Sequence, residues 1–149
     1  MKIKTNSLIN RAIATPATRY KVDWETLTAP FPHKTAATRA GLGWVGKSAL
    51  LVTPDLGPAL RLNTVLTDAP LVAGDPITQS RCGDCRACVE ACPAGAIKGE
   101  HWYTGRPRSE LLDAHACNQT CRGRAAARGI ELGRCGICMA VCPKRPRRG

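Results

Sequence analysis

Cys82-Gly83-Asp84-Cys85-Arg86-Ala87-Cys88-Val89-Glu90-Ala91-Cys92-Pro93 carries four thiols spaced C-x2-C-x2-C-x3-C and closes on a proline. Three thiolates on one tight loop suit three corners of a [4Fe–4S] cubane. The fourth, on the helical turn that follows, points towards a second cluster. Pro93 stops that turn, because it has no N–H to give and disfavours helix at the residue before it. A second run, Cys135-Gly136-Ile137-Cys138-Met139-Ala140-Val141-Cys142-Pro143, reads C-x2-C-x3-C-P. A full copy of the first run would need cysteine at position 132, where Leu132 stands. One ligand must therefore come from elsewhere, and Cys117 and Cys121 are the cysteines that remain. Crossed ligation gives one cluster Cys82, Cys85, Cys88 and Cys142. It gives the other Cys92, Cys135, Cys138 and one of Cys117 or Cys121.

Other uses of these thiols fit less well. A disulfide framework suits a small secreted chain, but nine cysteines is an odd number and no apolar segment follows Met1–Ser7. Zinc would take two C-x2-C pairs, such as Cys82/Cys85 with Cys135/Cys138, and would leave Cys88, Cys92 and Cys142 unexplained. His115, beside Cys117, is an alternative ligand; His33 and His101 read as surface or packing residues.

A second constellation is Gly41-Leu42-Gly43-Trp44-Val45-Gly46-Lys47-Ser48. It matches both the P-loop pattern and the dinucleotide pattern, yet either means something only between a strand and a helix. The stretch before it is small and polar, and the stretch after it is strand-like and stops at Pro54. No helix N-terminus is offered to a phosphate. The segment reads as a glycine-permitted turn with Trp44 packed under it, or as backbone approaching a large flat cofactor closely.

The elements that position these residues are short. Leu8, Ile9, Ala12 and Ile13 at helical spacing, behind Ser7, predict a helix ending at Thr15-Pro16. Residues 20–27 read as loop or edge strand, and Pro30-Phe31-Pro32 as a stiff connector. His33 to Ala40 reads as a helix closed by Gly41. Ser48 to Thr53 and Leu60 to Thr67 read as two strands of a hairpin, turned at Asp55-Leu56-Gly57-Pro58. Ser109 to Ala116 is a predicted helix capped by Ser109, and Asn118 to Arg128 a continuation. The division falls near Thr78, into residues 1–78 and 79–149.

Composition bounds the rest. Aromatic content is 4%, so a cysteine-rich half of this size builds little core alone and is expected to fold with its clusters. The formal charge is +11. Two loaded clusters, each about −2, bring it to about +7. That balance suits an acidic electron donor, or RNA. No basic stripe is interleaved with aromatics to stack bases, and the tail from Pro143 reads as a solvated end. The longest apolar runs, such as Ala49-Leu50-Leu51-Val52, are far too short to span a membrane. Reduced thiolates without an export signal place the chain in the cytoplasm.

Arg39-Ala40-Gly41-Leu42-Gly43-Trp44-Val45-Gly46-Lys47-Ser48, followed by Ala49 to Pro54, resembles the AGLGWIGK segment of epoxyqueuosine reductases. Leu66-Thr67-Asp68-Ala69-Pro70-Leu71 is similar to the segment before the clusters in those enzymes and in reductive dehalogenases. Both families follow it with a two-cluster module whose second run is shortened in the same way, and the resemblance extends over about residues 23–143. It implies cobalamin-dependent reduction, with cobalamin beside Gly41, Gly43, Trp44, Gly46 and Lys47 and a cluster feeding it electrons. It implies a general acid at Asp23, although the spacing to Gly41 is longer than in the relatives. It favours Cys117 over Cys121 as the isolated ligand. The relatives carry a larger N-terminal region that completes the cobalamin and tRNA site.

The expectation is an α+β chain: a small α/β region with a strand hairpin, then a two-cluster bacterial ferredoxin-like module. Its function is electron transfer through two [4Fe–4S] clusters, with a redox partner protein. The alternative is a cobalamin-dependent reductase acting on tRNA, completed by further residues or a partner.

Overall fold

A computed structural model describes residues 23–29, 32–64, 70, 72, 74–131 and 133–146. The helix expected over Ser7–Ala14 lies outside these residues, as do Phe31 and most of the Leu66–Leu71 segment. The elements are α1 (His33–Arg39), β1 (Trp44–Val45), β2 (Leu51–Val52), α2 (Ala87–Glu90), α3 (Arg108–Leu111), α4 (Ala114–Ala126) and α5 (Ile137–Ala140). The mixture is α+β, with one two-stranded antiparallel sheet.

α1 buries Ala36, Ala37 and Thr38. It ends as its sequence predicts. Gly41 takes φ +73, and the N–H groups of Gly41 and Leu42 turn back to the carbonyls of Thr38 and Ala37, both at 3.1 Å. The 74–77 segment then closes over this end: Ile77 N–H donates to Thr38 O at 2.9 Å.

The hairpin differs from the expectation. β2 pairs with β1, Trp44 opposite Val52 and Val45 opposite Leu51; residues 60–64 form no strand. The turn lies at Gly46–Leu50, closed by Gly46 N–H to Leu50 O at 2.8 Å and Ala49 N–H to Gly46 O at 2.9 Å. Ala49 sits in the left-handed region, φ +57, which costs an L-residue about 1–2 kcal/mol. Gly43 is required by the pairing itself, because a Cβ there would collide with the Val52 carbonyl.

α2 is the single turn after the Cys82/Cys85 pair and carries Cys88, α5 is the single turn that begins inside the Cys135/Cys138 pair and carries Cys138, and the two pack on each other. The expected helix from Ser109 is broken in two. Leu112 is extended, φ −149 and ψ 130, and bridges Ile97. Asp113 then starts α4, its carboxylate accepting the Ala116 N–H at 3.0 Å. An Asp N-cap satisfies one of the free amides of a helix start.

Val45, Ala49 and Leu111 form one buried apolar cluster, with Trp102 and Leu112 packed against them. Residues from both sides of position 78 thus share one apolar cluster. Lys34 Nζ donates to Ala49 O at 2.7 Å, and Arg108 reaches back to the carbonyls of Leu27 and Thr26 at 2.8 and 3.1 Å. Among the described residues no helix is long and apolar enough to cross a membrane.

Candidate metal centre

Gly83 (φ +52) and Gly136 (φ +68) place each C-x2-C pair on a tight loop. α2 and α5 carry each run on to its last cysteine, just before the proline. Because these two turns pack together, each trailing cysteine is delivered towards the other run. Cys142 lies within electrostatic reach of Cys82 and Cys85, and Cys88 of Cys82, Cys138, Cys85 and Cys142. Cys138 faces Cys135 and Cys92. Cys117 faces Cys121, Cys138 and Cys92.

α4 supplies the isolated thiols, one turn apart. Gly133 lets the chain return onto α4, since a Cβ there would collide with that of Ala125. The return brings Cys135 N–H to within 3.4 Å of the Cys121 sulfur. His115 is exposed on the same helix. All nine cysteines are free thiols. Burial first, and then neighbouring thiols, pushes Cys88 and Cys117 up to about 11 and raises Cys138 and Cys142. Sulfurs held together in this way repel one another once ionised, and a cationic cluster core between them relieves that repulsion. Among the described residues no three side chains of His, Cys, Asp or Glu gather tightly enough for a single metal ion. Cys82, Cys85, Cys88 and Cys142 form one looser group and Cys92, Cys117, Cys135 and Cys138 another, joined where Cys88 comes within reach of Cys138.

The glycine-rich segment borders the first group. Gly41 packs on the Asp75 carbonyl and Gly43 on Val52. At Gly46 a Cβ would stand 2.9 Å from Val52 Cγ2 and 3.4 Å from Cys82 Sγ. Trp44 is 3% exposed, and its indole N–H has no partner among the described residues. Arg81 lies over the Trp44 ring, 5.9 Å from its centroid. Lys47 is buried and donates to the carbonyls of Gly83 and Cys85. Sequence reasoning missed that link, because a lysine in a G-K-S sequence points to phosphate before it points to a cysteine loop.

Asp23 is exposed in the 23–28 turn. Its carboxylate accepts Thr26 Oγ1–H at 2.6 Å, Thr26 N–H at 3.2 Å and Glu25 N–H at 2.9 Å. Those bonds hold it below the usual carboxylate value. A general acid near neutral pH works with its pKa raised instead.

A family model described as "4Fe-4S double cluster binding domain" matches residues 81–145. With the crossed packing of α2 and α5, this defines a double-cluster iron–sulfur protein that binds two [4Fe–4S] clusters. The chain is 37% identical over 138 residues to an epoxyqueuosine reductase of Synechocystis sp., covering 87% of this chain and 43% of that protein. It is 36% identical over 114 residues to a tetrachloroethene reductive dehalogenase of Sulfurospirillum multivorans, covering 72% of this chain and 22% of that protein. A crystal structure of epoxyqueuosine reductase with an epoxyqueuosine-modified tRNA-Tyr stem loop matches with TM-score 0.57 and 25% identity, covering 95% of this chain and 33% of that one. The chain is similar to epoxyqueuosine reductases and carries a double [4Fe–4S] cluster binding domain over residues 81–145. It spans less than half the length of these relatives.

Proposed function

We propose that this chain is an electron-transfer unit built on its two clusters. The observation that carries it is the crossed grouping of free thiols around α2 and α5. The first cluster takes Cys82, Cys85, Cys88 and Cys142; the second takes Cys92, Cys117, Cys135 and Cys138. When bound, each supplies one-electron chemistry, tuned by burial and by N–H bonds to sulfur. Proteins of this kind draw electrons from a partner, and the +11 formal charge suits an acidic donor. Anaerobic reconstitution is expected to give about eight iron and eight sulfide per chain. Zinc in place of iron would overturn the reading.

A wider reading is supported by the relatives and by the motif order around Gly41–Lys47: a cobalamin-dependent reductase of the epoxyqueuosine type. On that reading the segment from Gly41 to Lys47 faces cobalamin, Asp23 supplies a proton, and a tRNA is the substrate. The geometry gives it less support. Gly41, Gly43 and Gly46 are taken up by contacts within the chain, and Asp23 is held ionised. Titrating base-off cobalamin into the reconstituted protein separates the two readings. A spectral shift on binding supports the reductase. No shift at saturation leaves the electron-transfer unit alone.

A further inference from the structure

Lys47 is 4% exposed, and its Nζ donates to Gly83 O at 2.8 Å and to Cys85 O at 3.1 Å. Both carbonyls belong to the loop that carries the first two thiols of the first run. The preceding residue, Gly46, faces the same loop, where a Cβ would stand 3.4 Å from Cys82 Sγ. Burying an ammonium is costly unless something anionic faces it. Among the described residues no carboxylate does; the ion pairs there are those of Arg106 with Glu100 and Glu110. Two carbonyls satisfy two of the three donors but leave the charge unbalanced.

We propose that Lys47 is a positioning residue for the first cluster, pinning the Cys82–Cys85 loop and serving as the counter-charge of the four-thiolate cluster. The proposal rests on the two-cluster reading and deepens it. A loaded cluster carries about −2, which supplies the missing anion. Reduction adds one electron and makes it about −3, and a fixed positive charge in low-dielectric surroundings favours that more negative state. Lys47 therefore raises the potential of the first cluster above what its loop alone would give. Both of its hydrogen bonds end on the first run, so the second cluster is an internal control. The lysine that completes a P-loop pattern in the sequence thus acts on sulfur ligands through their backbone.

The test is redox titration of the reconstituted full chain, followed by EPR, for wild type, Lys47→Gln and Lys47→Arg. Lys47→Gln keeps a donor and removes the charge. It is expected to load iron and to lower the one-electron reduction equilibrium of one cluster about tenfold, about 59 mV, with the other unmoved. Lys47→Arg is expected to restore most of the shift. Retention of the second cluster alone in Lys47→Gln also supports pinning. Both potentials unmoved, or both moved equally, would overturn the proposal. Amine labelling of the wild type covers the case in which the variants do not fold. Lys47 is expected to be protected in the loaded protein and to react once iron is chelated, while exposed Lys98 and Lys144 react in both states. Labelling of Lys47 in the loaded protein would overturn the proposal. Failure of the wild type to bind iron would instead remove the two-cluster reading beneath it.

Discussion

Cys117 and Cys121 stand one turn apart on α4, and both lie among the thiols of the second group. Spacing in the sequence does not separate them. The structure gives them different surroundings. Cys117, in the first turn, faces Cys92 and Cys138, which come from the two other segments of the set. Cys121 accepts the Cys135 N–H at 3.4 Å. Cys117→Ser is therefore expected to lose one cluster, leaving about four iron per chain, whereas Cys121→Ser keeps about eight. Iron analysis with EPR counts them. Equal losses in the two variants would mean that either thiol serves.

At the scale of elements, the cysteine runs were the most legible part of the chain, because ligation fixes residue type and spacing together. The helix of α1 was legible for a similar reason: its stop signal is a glycine that needs a left-handed backbone. The hairpin was not. Two-residue strands leave no alternation to read, and the left-handed residue in the turn is Ala49, which nothing in its type announces. The start of α4 was missed because Ser109 and Asp113 are both competent caps. Pairing of Leu112 with Ile97 decides between them by pulling residue 112 out of the helix. Glycines divide in the same way into those under contact and those that are not. Gly43→Ala drives a methyl into the Val52 carbonyl and is expected to destabilise by at least about 2 kcal/mol. Gly123→Ala, inside α4 with nothing within 4 Å of its Cβ, is expected to stabilise by about 0.5–1 kcal/mol. Thermal unfolding of the loaded protein, one variant against the other, reads both signs. Like signs would mean that the hairpin does not need the close approach.

At the scale of the whole molecule, the apolar cluster is small and shared. Leu111 from the cysteine-rich half completes a cluster whose other buried members, Val45 and Ala49, belong to the hairpin and its turn. The thiols count in the stability balance beside this cluster, and their protons make that balance depend on pH. Burial and neighbouring thiols raise Cys88 and Cys117 from 9.0 to about 11 in the metal-free fold. A raised pKa means that folding favours the protonated form. This contribution is fully present below the unfolded value, near 9.0, and is lost as pH climbs through the folded value, about 11. The metal-free protein is therefore expected to lose melting temperature progressively between those two values. In the loaded protein the same sulfurs are already deprotonated and bound to iron, so no proton remains to be lost from them. Its melting temperature should hold across that window, and the gap between the two forms should widen. Calorimetry of both forms at a series of pH values measures this directly. Parallel curves would mean that the thiols are as free to ionise in the fold as in the unfolded chain, and would remove the electrostatic argument for their grouping.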